Sequence, residues 1–568
     1  MADQHQPTPA GAAKKFFTLL RLEKKDISTI YVYAILAGLV NFATPLGIQT
    51  IISFVMAGSL STSIIVLIVM VVIAVFIGGL LQVRQMQVIE KIQQKIFVRY
   101  SLEFANRLPK LDIEKMSSYY LPELVNRFFD TASLQKGIEK LLLDIPSAVI
   151  QILFGVILLS FYHPVFIGFG VVLLLLLYII LRNTLPTGFA ANVESSDYKY
   201  KTAAWLEEMA RVVKTFKYSK GTSLNIEKAD GYVSNYLESH TRYFRILVTQ
   251  FWSLVGFKVI ITASMLIVGS ILLVDQQINI GQFIAADIVI IMVIGSVEKL
   301  ITNLDKIYDV LTAVEKLAKI TESEIEQEGI IEISDIHKGI SIEFRKLQYS
   351  YDLGNPVLTD ISFNAEPGKK ICIYGNSGSG KSTILRLLTG AYKNFKGSLL
   401  VDGVSIDNYQ LESLRSVTGI MLGQQDIFQG TLLENFTMGN KKYDEVELKN
   451  LVELCGLTTF VQLLPQGYYT ELDTAGNRLP SKIKQSILLI RALLGKRRLL
   501  LLEEPFFYLE EAEKNKMMDF ILKDTSATTI LTTTDVNIAR SCDQVIHIEN
   551  GLIVNYGSAQ TIMASLIK

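Results

Sequence analysis

Six long apolar runs in the first part of the chain constrain its fold more than any other feature. They are placed near residues 27–55, 63–85, 143–162, 165–183, 247–273 and 278–300. Each is close to the roughly 20 residues that a helix needs to cross the hydrocarbon of a bilayer. Half of the 568 residues are hydrophobic, and the mean hydropathy is +0.34. The sequence therefore predicts a six-helix transmembrane domain over residues 27–320, preceded by an N-terminal elbow segment, 1–26.

The connections between these runs indicate how the chain is oriented. Three are short and contain no lysine or arginine: 56–62, the turn at His163-Pro164, and 274–277. The long segment 86–142 carries nine basic residues, which are Lys91, Lys95, Arg99, Arg107, Lys110, Lys115, Arg127, Lys136 and Lys140. Lysine and arginine concentrate on the cytoplasmic side of a membrane. We therefore expect a multi-pass protein of the inner (cell) membrane, in contact with the lipid bilayer, with both termini in the cytoplasm.

The long connections are predicted to be helices rather than loops. From Gln82 to about Leu108, and from Ala190 to Arg245, apolar residues recur at helical spacing among charged ones. The membrane helices should therefore extend into the cytoplasm and turn near 117–130 and near 217–225. These tips are available to contact another domain below the membrane, or they are solvated helical hairpins.

Charge and cysteine content exclude some classes of protein. The 55 basic residues balance 55 acidic ones, so the net charge favours neither a nucleic-acid partner nor an acidic substrate. Three cysteines, Cys372, Cys455 and Cys542, have neither metal-ligand nor paired spacing. They fit a reducing compartment.

The residue pattern of the sequence changes after a charged linker over residues 321–339. From 340 to 568, short β-rich runs such as KKICIY and RRLLLLEE alternate with helical runs such as STILRLLTG. This alternation predicts a second domain of the α/β class with a predominantly parallel sheet.

A glycine-rich segment in this second domain matches a phosphate-binding motif. It has the form G-x-x-x-x-G-K-[ST] and lies between a predicted strand, Lys370 to Tyr374, and a helix predicted to start at Ser382. In such a loop, backbone N–H groups surround phosphates, the lysine supplies positive charge, and the Ser382 hydroxyl can ligate Mg²⁺. ATP and Mg²⁺ are the expected cofactors. The predicted binding residues are Gly375, Asn376, Ser377, Gly378, Ser379, Gly380, Lys381, Ser382 and Thr383.

An aromatic residue upstream of the loop is a candidate for contact with the base. Tyr351 ends a predicted strand in the segment QYSYD. Its ring either stacks on adenine or is an ordinary aromatic residue of the sheet.

Taken together, these features resemble the half-transporters of the ABC exporter superfamily over nearly the whole chain. The likeness is carried by NPVLTDISFNAEPGKKICIYGNSGSGKSTILRLLTGAYKNFKGSLLVDG, and by PELVNRFFD and AAWLEEMARVVKTFKY, which resemble the two intracellular loops of the family. The resemblance implies the exporter fold of six transmembrane helices, followed by a P-loop nucleotide-binding domain over 340–568. It also implies dimerisation with a second half-transporter, identical or different, and two ATP molecules held head to tail. Exporters of this shape move lipids, drugs, peptides or secreted proteins.

Two segments depart from the family pattern on the side that acts on ATP. LRSVTGIMLG places Gly423 where the family has the glutamine of its glutamine loop, and Gln424 is the neighbouring candidate. The signature L-S-G-G-Q corresponds to Leu479-Pro480-Ser481-Lys482-Ile483, so both glycines are absent. Side chains there should hinder close approach of the backbone to a phosphate, although the Lys482 charge could compensate in part.

Two further positions depart at the expected catalytic centre. By the resemblance, Glu503 stands at the aspartate position, where with Ser382 it would hold Mg²⁺, and Glu504 stands at the position of the catalytic base. Glu503 is one methylene longer than aspartate, and Mg²⁺ tolerates little distortion. Thr534 stands where the family has its switch histidine, and threonine has no imidazole to offer.

These departures lead to three hypotheses. In the first, the chain binds ATP-Mg²⁺ to drive or gate export but hydrolyses ATP weakly, and it pairs with a more competent half-transporter. In the second, it is a homodimeric export ATPase in which residues such as Gln424 and Lys482 compensate. In the third, it is a membrane regulator that senses ATP without transporting.

Overall fold

The computed structural model describes residues 8–57, 62–116, 120–334, 338–351, 354, 356–524 and 526–566. The chain forms two compact units. The first, called here the helical unit, comprises Met1–Leu111 and Ser118–Glu324. The second, the sheet unit, comprises Asp112–Ser117 and Ile325–Lys568.

The helical unit is built from long α-helices. In chain order they are α1 (Pro9–Arg21), α2 (Lys24–Asn41), α3 (Ala43–Met56), α4 (Thr62–Arg107), α6 (Leu121–Asn126), α7 (Asp130–Tyr162), α8 (Val165–Arg211), α9 (Val213–Tyr218), α10 (Leu224–Val274), α11 (Ile280–Thr302) and α12 (Leu304–Thr321), with α5 (Ile113–Met116) grouped in the sheet unit. In the part of the chain that the structure describes, six helical stretches are long and apolar enough to cross a membrane, namely Lys24–Met56, Thr62–Lys110, Leu121–Tyr162, Val165–Arg211, Leu224–Val274 and Ile280–Thr321. The prediction of six transmembrane helices is confirmed.

The first predicted span is broken into two helices. α2 ends at Asn41 and α3 begins at Ala43. Pro45 explains the break, because it has no N–H to donate to the Asn41 carbonyl and its ring crowds that carbonyl. Pro146 and Pro186 lie inside α7 and α8, which continue through them.

The prediction that the membrane helices continue well beyond the bilayer is confirmed. α4, α8 and α10 have 46, 47 and 51 residues. At 1.5 Å per residue each is about 70 Å or longer, against a hydrocarbon core of roughly 30 Å. The second predicted tip lies between α9 and α10. Of the first predicted tip, 117–130, residues 117–119 fall outside the described residues.

The described part of the sheet unit contains a mainly parallel sheet and two antiparallel sheets. Its strands are β1 (Ile342–Tyr349), β2 (Leu358–Ala365), β3 (Lys370–Tyr374), β4 (Phe395–Val401), β5 (Val404–Ser405), β6 (Thr418–Met421), β7 (Gly430–Thr431), β8 (Glu471–Leu472), β9 (Leu499–Glu503), β10 (Thr528–Thr533), β11 (Gln544–Glu549) and β12 (Leu552–Ser558). The larger sheet has the order β12-β11-β3-β10-β9-β6, with β12 antiparallel to β11 and the other neighbours parallel. The four-stranded antiparallel sheet has the order β2-β1-β4-β5, and β7 pairs with β8 in the other one.

Helices connect these strands. They are α13 (Lys381–Leu388), α14 (Leu411–Ser416), α15 (Leu432–Thr437), α16 (Glu445–Leu454), α17 (Thr458–Leu463), α18 (Ser481–Leu493), α19 (Glu511–Lys523), α20 (Val536–Ser541) and α21 (Ala559–Leu566). The predicted α/β class with a predominantly parallel sheet is confirmed.

The centre of the larger sheet is buried on both faces. Leu499–Leu502 in β9 and all six residues of β10 are buried, as expected for a parallel sheet covered by helices on both sides. Parallel strands place their carboxyl ends at the same edge of a sheet. The segments that follow β3, β6, β9 and β10 therefore meet, and they contain the sequence motifs singled out above.

Candidate nucleotide-binding site

The glycine-rich loop after β3 has a backbone that side chains would not permit. Gly378 and Gly380 have φ angles of 81° and 104°, in the left-handed region that favours glycine. A Cβ on Gly380 would lie 2.6 Å from Leu358 Cδ2, and one on Gly375 would lie 2.2 Å from the Ile548 carbonyl oxygen. The loop therefore adopts its curved path only with glycine at these positions.

A cleft of about 810 Å³ opens beside this loop. Residues from the loop, from the ends of β6, β9 and β10 and from α18 surround it. They are Tyr351, Val357, Ser377, Gly378, Gly380, Lys381, Ser382, Thr383, Arg386, Met421, Leu422, Gly423, Gln425, Asp426, Ser481, Lys484, Gln485, Leu488, Glu503, Glu504, Phe507, Tyr508, Thr532 and Thr534. The structure thus brings together most of the residues that the sequence proposed.

Lys381 supplies the positive charge of the loop. Its Nζ donates hydrogen bonds to the carbonyl oxygens of Gly375, at 2.7 Å, and Asn376, at 2.9 Å. Burial lowers the pKa of Lys381, while the charges of Glu504 and Glu503 act in the opposite direction. An anionic group entering the loop would find this ammonium at its inner wall.

A buried hydroxyl in the loop is suited to a polar ligand. Ser379 is 4 % exposed, and its Oγ has no hydrogen-bond partner among the described residues. An orphaned buried donor of this kind is unusual in a folded protein. Together with the positive-φ glycines and Lys381, it fits a loop that binds the phosphates of ATP.

Tyr351 lies at the mouth of the cleft and is fixed to the first helix after the loop. Its hydroxyl is 3.1 Å from Thr383 Oγ1 and accepts a hydrogen bond from Arg386 Nη1 at 2.9 Å. Its ring remains 42 % exposed and meets the rings of Tyr349 and Tyr392 edge to face. Of the two interpretations of Tyr351, this placement favours an accessible platform for a base.

The Glu503 carboxylate joins the phosphate loop to the segment after β6. Ser382 Oγ donates to Glu503 Oε1 at 2.5 Å, and the Gly423 N–H donates to Glu503 Oε2 at 2.7 Å. The hydroxyl and carboxylate oxygens are ligands that Mg²⁺ prefers, so these residues fit a metal that accompanies ATP. The additional methylene of glutamate is what lets the same carboxylate reach Gly423.

This bridge is testable by shortening the side chain. Glu503→Asp keeps the charge but cannot span both donors, so amide exchange in 422–426 should rise about fivefold, the effect of losing one bond worth roughly 1 kcal/mol. Hydrogen-exchange mass spectrometry measures it. Gly423→Ala is the matched control, because it retains the N–H and its Cβ would lie an ordinary 3.4 Å from Glu503 Oε2. Unchanged exchange in Glu503→Asp would refute the bridge.

The candidate base, Glu504, is held in a strained position next to this bridge. Its φ is 42°, which is uncommon for a residue other than glycine and is often found at functional sites. Burial raises its pKa, whereas the charge of Lys381 and hydrogen bonds from the Thr533 side chain and the Thr534 backbone lower it. Thr534, at the switch position, thus contacts Glu504 through its backbone.

At the position of the family signature, the Lys482 side chain forms ion pairs with other residues of this chain. Pro480 precedes α18 and provides no side-chain cap. Lys482 Nζ lies 2.8 Å from carboxylate oxygens of both Glu510 and Glu513, beside the start of α19. Burial favours the neutral amine, but these two hydrogen bonds raise the pKa of Lys482 above its usual value. The ammonium is therefore already paired with carboxylates.

The consequence for Lys482 can be measured directly. If its charge is used to join α18 to α19, Lys482→Ala should lower thermal stability slightly and change ATP affinity by less than about twofold, because partly exposed ion pairs contribute little. Nucleotide titration and a melting curve on the same samples provide the readout. A tenfold loss of ATP affinity with unchanged melting would instead make Lys482 a phosphate ligand.

Some residues of the cleft were not anticipated from the sequence. Gln425, rather than the predicted Gln424, lines the cleft, and its Oε1 accepts a hydrogen bond from the Leu422 N–H at 3.1 Å. Gln485, which is 8 % exposed, donates to the Glu504 carbonyl at 2.8 Å and accepts from the Tyr508 N–H at 2.7 Å. A glutamine among the buried apolar positions of α18 was the available signal for this link.

Two exposed aromatic residues also border the cleft. Phe507 and Tyr508 follow Glu504 in the chain, and their rings meet edge to face at 4.9 Å. The segment PFFY after a buried strand was the available signal for these aromatic residues. It does not indicate that they lie beside the cleft.

Segments in both units match known protein families. Residues 27–297 match the family described as ABC transporter transmembrane region, and residues 358–507 match the family described as ABC transporter. The chain is 23 % identical over 557 residues to the transport/processing ATP-binding protein ComA of Streptococcus pneumoniae, covering 97 % of this chain and 77 % of that protein. It is 22 % identical over 566 residues to the lactococcin-A transport/processing protein LcnC of Lactococcus lactis, covering 99 % and 78 %.

Other similarities are more local or concern the fold. An ATP-dependent lipid A-core flippase of Saccharophagus degradans is 31 % identical over 223 residues, 39 % of this chain and 38 % of the flippase. A solved bacterial Atm1-family ABC exporter with ATP bound superposes with a TM-score of 0.85 at 18 % identity, covering 95 % of this chain and 96 % of the other.

Proposed function

The chain belongs to the ABC transporters, as an exporter-type transmembrane region fused to an ATP-binding domain, and we propose that it is the weakly hydrolysing half of an export complex. In this proposal it binds ATP and Mg²⁺ in the cleft of the sheet unit. Binding gates alternating access of a cavity across the inner membrane. Turnover depends mainly on a second, more competent half-transporter.

Retained ATP binding is supported by the loop around Lys381. The glycines permit the curved backbone, Lys381 and the Ser379 hydroxyl lie inside it, and Ser382 adjoins Glu503. Bound ATP would supply the phosphates that these groups contact. Tyr351 is then in position to meet the base.

Weak hydrolysis is carried by one observation above all, the pairing of Lys482 with Glu510 and Glu513. A lysine that neutralises two carboxylates of its own chain is a poor replacement for glycine N–H groups that would face a phosphate. Loss of one preorganised donor typically lowers a rate by about 10² to 10³. In addition, Gly423 and Thr534 stand where the family has a glutamine and a histidine near the phosphates, so those two side chains are also absent.

Pairing with a different chain follows from this asymmetry. By the family resemblance, each ATP is held between the phosphate loop of one subunit and the signature of the other. A homodimer would therefore carry the departures at both sites, whereas a heterodimer would offer this chain's loop a complete signature. In the homodimeric alternative, residues such as Gln424 and Lys482 compensate. Against it, Gln425 rather than Gln424 lines the cleft, and Lys482 is paired with Glu510 and Glu513.

Inverted membrane vesicles test the proposal. Three vesicle preparations are compared, which contain this chain alone, a motif-complete half-transporter alone, or both. In each preparation, ATP-driven uptake of candidate cargo is measured. We expect uptake only when both are present, and co-purification of the two chains. Uptake by this chain alone would support the homodimer, and absence of uptake in all three, with ATP still bound, would support the regulator.

A further inference from the structure

The first helix, α1, ends next to the start of the first membrane-spanning stretch. α1 ends at Arg21, and the stretch Lys24–Met56 follows it. The large exposed apolar side chains of that stretch begin at Tyr31, which is 46 % exposed. Lys24 lies about 10 Å before Tyr31 along a helix. Because headgroups occupy roughly 5 to 8 Å on each side of the hydrocarbon, the turn between α1 and α2 lies at the outer surface of the headgroups.

α1 has a buried face and an exposed face. It packs against α12, α8 and α2. Its buried residues are apolar, namely Ala12, Phe16, Leu19 and Leu20. The residues that share the opposite side, at spacings of i, i+3, i+4 and i+7, are exposed, namely Lys14, Phe17, Thr18 and Arg21. The side of α1 that faces away from the protein therefore combines two cations with an aromatic ring.

The carboxylates close to α1 are already paired with cations of α4. Residues 8–29 contain five cations and two carboxylates. Lys95 Nζ lies 2.8 Å from Glu23 Oε2 and 2.7 Å from Asp26 Oδ2, and Arg99 Nη2 lies 2.8 Å from Glu23 Oε1. Both carboxylates of the segment are therefore neutralised from another helix.

Four of the five cations have no carboxylate partner in the part of the chain that the structure describes. They are exposed and are called here the cationic surface: Lys14, Arg21, Lys24 and Lys25. The fifth, Lys15, differs, because its Nζ lies 3.0 Å from Glu315 Oε2 and 3.0 Å from Glu322 Oε2 at the end of α12. The cationic surface thus carries positive charge that the described residues do not compensate.

The position of the cationic surface favours a lipid over a soluble acidic molecule. Phe17 and Leu22 are 65 % and 63 % exposed, so apolar groups lie among the cations. Cations together with exposed aromatic and aliphatic side chains are typical of helices that lie in the plane of a membrane surface. Lipid headgroups are also the groups that the start of a spanning helix meets first.

We propose that the cationic surface binds the phosphate headgroups of anionic phospholipids, with Phe17 and Leu22 directed towards the acyl boundary. Each lysine or arginine close to an anionic membrane surface contributes about fivefold to binding. Since Lys15 pairs with the end of α12, a lipid bound here holds α1 against the last helix of the helical unit. This lipid site is separate from the ATP cleft and does not depend on the proposed division of ATP hydrolysis.

Hydrogen-exchange mass spectrometry on the full chain tests the proposal. The chain is placed in nanodiscs of phosphatidylcholine, or of equal parts of phosphatidylcholine and phosphatidylglycerol. Amide exchange in residues 12–22 should be at least about fivefold slower with phosphatidylglycerol, because a bound ligand opposes local opening of the helix. Sodium chloride at about 1 M, where the screening length is about 3 Å, should remove most of this difference.

A matched pair of variants locates the effect. Lys14→Gln, Lys24→Gln and Lys25→Gln, combined in one chain, should bring the two exchange rates to within about twofold, the loss expected for cations each worth about fivefold. The control variant removes three exposed lysines near the start of α10, about 75 Å along that helix from the connection at 275–279: Lys214→Gln, Lys217→Gln and Lys220→Gln. It should keep the full difference. Equal melting and ATP affinity of both variants in phosphatidylcholine would exclude unfolding.

Three results would overturn the lipid site. The first is equal exchange of the unaltered chain in the two kinds of nanodisc, and the second is undiminished protection in the variant of Lys14, Lys24 and Lys25. The third is equal protection by glycerol 3-phosphate dissolved around phosphatidylcholine nanodiscs, which would make the cationic surface a site for a soluble phosphate. Slow or absent ATP-driven uptake in vesicles would bear on the proposed export function and leave these exchange results unchanged.

Discussion

Replacing Lys381 with alanine should lower the ATP affinity of this chain by about 100-fold. The Lys381 ammonium is the cation at the inner wall of the phosphate loop, where it now donates to two backbone carbonyls. Bonds to charged groups contribute roughly 1.5 to 3 kcal/mol each, and each 1.4 kcal/mol is about tenfold in affinity. Titration of a fluorescent ATP analogue onto the purified protein measures the loss.

Lys484 provides the matched control for this substitution. It lines the same cleft, but its Nζ donates to the Ala475 carbonyl at 2.6 Å. Lys484→Ala should therefore change ATP affinity by about fivefold at most, the size of one ordinary hydrogen bond. If both variants lose affinity equally, the phosphates do not lie at Lys381. A melting curve without nucleotide shows whether Lys381→Ala still folds.

The purified chain should release phosphate from ATP at least about 100-fold more slowly than a motif-complete exporter assayed beside it, because even one missing transition-state donor has that effect. It should nevertheless bind ATP saturably under the same conditions. Glu504→Gln should remove the residual activity without changing ATP affinity, since Glu504 is the remaining candidate base. Rapid phosphate release from the isolated chain, abolished by Glu504→Gln, would contradict the proposal.

Mixing the chain with a competent partner extends this test. Phosphate release should then rise but stay below that of the motif-complete exporter, because the partner's catalytic glutamate faces the altered signature of this chain; it should fall again when that glutamate is replaced. If release by the mixture depends only on Glu504 of this chain, its catalytic residues are not impaired.

Local features of the sequence predicted the fold well. Apolar runs of the right length gave the six spans, and the alternation after residue 340 gave the parallel sheet, because both signals depend on the spacing of neighbouring residues. Hydropathy alone did not predict the helix break near Pro45. The run 27–55 is apolar throughout, but its helix is interrupted at Phe42.

The site was predictable where a motif fixes the backbone and not where distant side chains meet. Gly375 to Ser382 needed no tertiary information, because the loop conformation is local. Gln425, which the sequence did not single out, lines the cleft in place of Gln424 because of a turn in which the Leu422 N–H donates to the Gln425 side chain. The pairing of Lys482 with Glu510 and Glu513 joins residues about thirty positions apart on two helices, and sequence spacing does not encode it.

The pairing at Lys482 also bears on whether the family signature could be regained. A return to glycine at this position would leave Glu510 and Glu513 side by side, with their common cation gone and their charges repelling each other. Partly exposed ion pairs contribute little to stability, so this repulsion is modest, and the pairing alone does not prevent a glycine at this position.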